Sequence, residues 1–278
     1  MKINELHSTP LVRLRWLTVA ALEIKTGDTT FVIDPDVTAS TSSDLTAGVF
    51  EGADYILISH THSDHITDIN YLMEKFGAKV LCGQLSADPL TKWLDCNPID
   101  VYPMTPGLEV DFGAAKVKAL YGRHSNLGKP FSVVDAVPIE GTLYEKPGVD
   151  LQVSRQLRWL GVTEYTNYLI TLPNGLRIVF YGGFDLPEAR IMLRDTRPDI
   201  LITQFTAYNS HTFSEFVSAI APKYVIPHHM DYVWPPEQYE ARFERCGAAL
   251  AEKCPGTTLI TPEQGKWYEF SMGVSPAN

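Results

Sequence analysis

The segment Ser59-His60-Thr61-His62-Ser63-Asp64-His65 places three imidazoles and a carboxylate within six consecutive positions. Imidazole nitrogens and carboxylate oxygens are the ordinary protein ligands of zinc and of neighbouring divalent transition metals. In an extended segment side chains alternate, so His60 and His62 face the same way. Asp64 and His65 fall where the chain turns into a helix, and they face a second point close by. The spacing therefore offers two ligands to each of two neighbouring cations. Asp64 alone would be an ordinary helix N-cap; four such groups in H-x-H-x-D-H spacing point instead to a metal site.

The elements around this cluster must deliver it to an accessible edge. Residues 55–58 (Tyr-Ile-Leu-Ile) are apolar on both faces, as in a strand covered on two sides, and run straight into His60. After His65, Ile66, Ile69, Leu72, Met73 and Phe76 follow helical spacing until Gly77 ends the stripe. Upstream, strands are expected over 11–17, 19–24 and 29–33, the last two joined by a turn at Gly27-Asp28. Downstream, strands near 80–82, 110, 116–121, 165–171, 176–181, 200–203, 224–226 and 257–260 alternate with helices near 86–94, 187–194, 213–221 and 236–252. Leu172-Pro173-Asn174-Gly175 marks a hairpin. Strands followed by alternating strands and helices, twice over, predict an α/β fold of two mixed sheets packed face to face with helices outside. Without a repeat or a Ser/Gly-rich linker, residues 1–278 are expected to form one domain. The stretch 123–161 is read as a long irregular, lid-like insertion.

With 45% hydrophobic and 20% charged residues, the chain has the composition of a globular protein. Its formal net charge of −10 argues against a nucleic-acid backbone as partner. No run of about 18 uninterrupted apolar residues suggests a membrane span, and the start lacks a secretory signal. The four cysteines are scattered without C-x-x-C spacing, which fits reduced thiols and a cytoplasmic setting.

The H-x-H-x-D-H cluster resembles the signature of the metallo-β-lactamase superfamily, whose members share a four-layer αββα sandwich with metals between the two sheets. Val32-Ile33-Asp34-Pro35 is similar to that family's early I-D-P turn, and the order of elements matches over most of the chain. The resemblance implies two divalent ions, zinc first, with manganese or iron possible in the same ligands. It also implies a histidine, an acid and a histidine downstream. His124, after Tyr121-Gly122-Arg123, would join His60 and His62 on the first ion. Asp185 would bridge both ions, although Gly182-Gly183-Phe184 precedes it where the family has one glycine. As an alternative, Asp185 would cap the helix that begins at Pro187. In Ile226-Pro227-His228-His229 the register favours His229 as the last ligand, with His228 behind it or facing substrate. His211, in a loop after the 200–203 strand, is a candidate general acid or substrate contact.

Such a site makes hydroxide available at neutral pH, because zinc lowers the pKa of bound water from 15.7 to about 7. Asp64 or Asp185 would orient that nucleophile. The early tryptophan, the I-D-P turn and the P-x-H ending look most like the branch containing ascorbate-6-phosphate lactonase and related small-molecule phosphodiesterases. Arg155, Arg158 and Trp159, with Phe131 and Tyr144, would suit a phosphorylated or carboxylated substrate. The same residues equally suit packing against a second copy of the chain. The expected function is hydrolysis of a small anionic ester, lactone or phosphodiester. The rivals are a thioesterase, a nuclease of the same superfamily and a catalytically silent, metal-stabilised binding protein.

Overall fold

The computed structural model describes residues 12–124, 146–205, 208–231 and 234–270. The first sheet begins with an antiparallel meander, β1 (Val12–Thr18), β2 (Ala21–Thr26) and β3 (Thr29–Ile33). It continues in parallel through β4 (Tyr55–Leu57), β5 (Lys79–Gly83) and β6 (Val101–Met104). Between these strands lie α1 (Ser63–Ile66), α2 (Ile69–Phe76) and α3 (Ala87–Leu94). The helix expected after His65 is thus two pieces, separated at Thr67 and Asp68. The Asp68 carboxylate accepts from the backbone N–H groups of Val37 and Thr38, which ties the break to the loop after β3.

The second sheet starts at its edge with β7 (Glu109–Asp111) and β8 (Lys116–Tyr121). A helix, α4 (Leu151–Thr163), precedes β9 (Thr166–Thr171), which pairs with β10 (Arg177–Tyr181) across the expected hairpin. Then α5 (Pro187–Thr196), β11 (Ile200–Gln204), α6 (Ser210–Ile220), β12 (Tyr224–His228), α7 (Pro236–Lys253) and β13 (Thr258–Leu259) alternate. The last strand, β14 (Tyr268–Phe270), crosses back to pair with β1. Each sheet has seven strands, in the orders β14-β1-β2-β3-β4-β5-β6 and β13-β12-β11-β10-β9-β8-β7.

One apolar cluster fills the space between the sheets, with Leu14, Ile24, Phe31, Leu57 and Leu81 meeting Val117, Tyr168, Ile170, Ile178 and Phe180. The Tyr168 hydroxyl crosses the interface and donates to the Ile58 carbonyl at 2.7 Å. A second cluster packs Val32, Ile56, Ile58 and Val80 against Leu72, Leu90, Trp93 and Leu157. Burying each large apolar side chain contributes about 1.5–3 kcal/mol, so the layers are locked mainly by these faces. Helix, sheet, sheet and helix form the expected αββα sandwich.

The stretch expected to be irregular, 123–161, is corrected at its far end. Asp150 caps α4 by accepting from the Gln152 N–H at 2.9 Å, and Ser154, Leu157, Leu160 and Gly161 form the buried stripe. That stripe relies on a serine and a glycine, so hydrophobic periodicity alone does not reveal it. Phe131 and Tyr144 lie outside the described residues. All four cysteines are free. Among the described residues, no helix is long and apolar enough to cross a membrane.

Candidate metal centre

Strand ends deliver the ligands to one rim. His60 follows β4 one residue after Ser59, whose carbonyl accepts from Thr166 N–H of β9 at 2.8 Å, so the two sheets meet here. His62 immediately precedes α1, which carries Asp64 and His65. His124 stands three residues beyond β8, and His229 directly follows β12. His229 adopts a left-handed backbone with φ of 63°, and its N–H donates to the Val19 carbonyl at 2.7 Å. The reversal separates the two adjacent imidazoles. His228 lies inside the sandwich, 1% exposed and stacked on Phe180 at 4.9 Å between centroids. It therefore lines no open surface where substrate would enter.

The candidate ligands sort into two triads, His60 with His62 and His124, and Asp64 with His65 and His229. Within each triad the ligand atoms all lie within 4.8 Å of one another. His60 Nε2 is 3.0 Å from His62 Nδ1, and Asp64 Oδ2 is 3.6 Å from His65 Nε2 and 3.5 Å from His229 Nε2. A tetrahedral zinc with bonds of about 2.0–2.1 Å needs its ligand atoms roughly 3.4 Å apart, so the donor sets fit such an ion. The triads abut through His60 and His65, whose rings are 4.0 Å apart.

Electrostatics prepares most of these donors. Burial, then the imidazoles around it, keeps His60 well below its ordinary pKa. Burial and His124 push His62 down to about 3, with His65 and Arg158 adding to the effect and Asp64 opposing it. Both nitrogens are therefore available as lone pairs at neutral pH. Burial would raise Asp64, but His65 and His229 outweigh it and hold the carboxylate below its ordinary range. Burial would likewise lower His65, yet the carboxylates of Asp64, Asp34 and Asp36 raise it to about 9 without a metal. A cation at this triad must displace that proton. Asp36, buried beside Asp68 and Asp64, is pushed up to about 7, chiefly by desolvation.

Not every expected residue joins the centre. Asp185 belongs to neither triad: Arg190 grips both its oxygens at 2.6 and 2.5 Å. Two glycines and a phenylalanine carry it past the strand end to the start of α5, where this partner lies one turn away. His211 sits in the first turn of α6, its side chain 74% exposed beside Glu215. Arg158 is close enough to His62 to lower its pKa, and Arg155 and Trp159 are partly buried on the same helix.

Several residues of the site were not among those expected. Gly161 of α4 packs directly on His62, and the Leu157 carbonyl accepts from the Thr61 hydroxyl at 2.6 Å. Tyr165 stacks on His60 at 4.7 Å. Asn167 donates to the Tyr121 carbonyl and accepts from Gly182 N–H, joining the β8 and β10 ends. Asp34 and Ser59 hold the histidines from behind. Asp34 was visible in the I-D-P turn, and its position at the end of the strand beside β4 was the signal available for a role.

A family model described as the beta-lactamase superfamily domain matches residues 13–229, most of the chain and all six residues of the two triads. The chain belongs to that superfamily. It is 28% identical over 155 residues to a UPF0173 metal-dependent hydrolase of Methylobacterium nodulans, covering 50% of this chain and 64% of that protein. A relative of the same description in Listeria innocua is 30% identical over 125 residues, covering 41% of this chain and 54% of that protein. These matches thus span less than two thirds of either relative. Among solved structures, Igni18, a metallo hydrolase of Ignicoccus hospitalis, aligns with a TM-score of 0.67 at 14% identity, over 95% of this chain and 100% of that one. An isothiocyanate hydrolase from Delia radicum gut bacteria aligns at 0.62 and 13% identity, over 93% and 99%. At these identities the likeness is one of fold, and it is the αββα sandwich.

Proposed function

We propose that this chain is a metal-dependent hydrolase that holds two divalent cations, zinc in the first instance, and cleaves a small anionic ester, lactone or phosphodiester. The supporting observation is the pair of adjoining triads, one of three imidazoles and one containing a carboxylate held ionised by its neighbours. Cations held there would lower the pKa of water from 15.7 to about 7 and draw charge from a carbonyl or phosphoryl oxygen. His60, His62 and His124 would hold one, and Asp64, His65 and His229 the other. Asp64 turns Oδ2 to the two imidazoles, which leaves Oδ1 to orient the attacking water. Asp185 would have to leave Arg190 before it could bridge.

Anionic substrates are favoured by α4. Among the described residues, Arg155 Nε is buried without a hydrogen-bond partner. The Arg158 guanidinium, close to His62, suits a carboxylate or phosphate remote from the bond being broken. Free thiols at all four cysteines favour a reducing, cytoplasmic setting.

Zinc content measured alongside turnover of generic phosphodiester, thioester and lactone probes tests the reading. Two ions per chain and hydrolysis of at least one class, lost on treatment with a chelator, is the expected result. Two ions without turnover of any probe would overturn hydrolysis, and activity in metal-free protein would overturn the metal mechanism.

A further inference from the structure

A cavity of about 400 Å³, within the range of small-molecule sites, opens between β1, the loop after β3 and the start of α7. Trp16, Trp234 and Tyr239 line it together with Pro235 and Pro236. The three rings are fixed from behind. Trp16 is 2% exposed, and its Nε1 donates to the Val19 carbonyl at 3.0 Å. Trp234 stands edge-on to Phe205 at 6.2 Å, and Tyr239 packs on Phe243 at 5.7 Å between centroids.

The charge in this cavity has one sign. Among the described residues, Asp231 is the only charged side chain in the lining. Its carboxylate accepts from the Thr18 hydroxyl at 2.6 Å and from Val19 N–H at 3.0 Å, neutral donors that leave its negative charge in place. Burial, then the carboxylates of Asp231, Glu240 and Glu237, holds the Tyr239 phenol above its ordinary pKa, so three anions act on that wall. A helix start ordinarily attracts an anion through its free N–H groups. Here Pro236 has none, and Gln238 and Tyr239 turn theirs back to the Pro235 carbonyl at 2.9 and 3.3 Å. Arg242 lies 3.9 Å from the Trp234 centroid but outside the lining, so this indole already holds one cation against its π face.

We propose that this cavity binds an organic ammonium ion, with its carbon groups against the three rings and its charge opposite Asp231. Aromatic faces attract such cations through the ring quadrupole, and a carboxylate adds the complementary charge. Neither triad lines the cavity, so binding there requires no metal.

Choline serves as the probe, with the neutral alcohol in which carbon replaces its nitrogen as a control of the same shape. Calorimetric titration of the full chain should show choline binding to metal-free and zinc-loaded protein alike, and the neutral alcohol binding about tenfold more weakly. Trp234→Leu and Tyr239→Leu should each weaken choline at least about threefold, whereas Tyr239→Phe, which keeps the ring, should stay within about twofold. Asp231→Asn should weaken choline and leave the neutral alcohol unchanged. If Asp231→Asn fails to fold, the ring variants still decide. No choline binding, equal affinity for choline and the alcohol, wild-type affinity in both leucine variants, or binding that appears only with zinc would each overturn the site.

Discussion

Gly161→Ala tests whether α4 holds the first triad in place. A methyl group at this position would lie 2.4 Å from His62 Cδ2, 3.0 Å from its backbone nitrogen and 3.0 Å from Nε2. Carbon atoms pack best at about 3.5–4.0 Å, so one of the partners must yield by roughly 1 Å. Metal–ligand distances tolerate only about 0.2 Å, and a site displaced by 1 Å loses about 100-fold in rate. Overpacking costs about 1–3 kcal/mol, offset by about 1 kcal/mol because alanine favours a helix over glycine. The metal-free fold should thus lose no more than about 2 kcal/mol, while zinc affinity at the three-histidine site falls at least tenfold and turnover falls with it. Chelator competition gives the affinity, and thermal unfolding of the metal-free protein supplies the control. Wild-type zinc affinity and turnover in a folded variant would refute the claim that this contact positions His62.

Four further outcomes are expected. Because His65 must lose a proton whose pKa is raised to about 9, zinc affinity of its triad, measured in His124→Ala, should rise about tenfold per pH unit from pH 6.5 to about 9. The three-histidine site, where His62 is held at about 3, should be nearly flat over that range, and equal slopes would rule out His65 as the proton source. The same raised pKa means that the His65 proton stabilises the metal-free fold fully below about pH 6.5, a contribution lost as the pH climbs towards about 9. Arg158→Ala should raise KM about 10- to 100-fold for anionic probes, from the 1.5–3 kcal/mol of a charged hydrogen bond, and leave neutral probes unchanged. A parallel loss on neutral probes would show that it supports His62 instead. Asp185→Ala should cost about 0.5–1 kcal/mol, discounted because its pair with Arg190 is partly exposed, and should keep both ions. Loss of an ion would restore it as a bridging ligand.

The histidine cluster and the layer order were legible because both depend on local periodicity. Alternation brought His60 and His62 together, and the apolar run before them placed them at a strand end. Most strands emerged from the same period-two signal, but β6 and β14 did not. The first is four residues long with a proline, and the second three residues paired with a distant strand. The contacts that fix the ligands were less visible because they depend on tertiary distance. Gly161 lies 99 positions after His62 and offers no side chain whose chemistry could announce it. Asp185 shows the reverse: its residue type and order suited a ligand, but here Arg190 holds the carboxylate. Such competition depends on helix geometry, since Arg190 is five residues on, and not on the motif.

Backbone strain falls at the same rim. Among the described residues, six other than glycine have positive φ. Asp95, Arg197 and Ala221 close α3, α5 and α6 in the left-handed conformation that commonly ends a helix. The remaining three are Val19, Asp34 and His229, and no helix end requires them. Such a conformation costs of order 1–3 kcal/mol each, and it is particularly unfavourable for a β-branched valine. Each is held by bonds that lead to a triad. The Val19 carbonyl accepts from His229 N–H and from Trp16 Nε1, and its N–H donates to the Asp231 carboxylate. Asp34 is held by Ser59 and His65. The turn after β1 and the turn after β12 therefore clamp one another, and relaxing either would move His229 away from Asp64. Strain placed only where it fixes ligand geometry is what a preorganised cation site requires, since ligands already aligned need no reordering when the ion arrives.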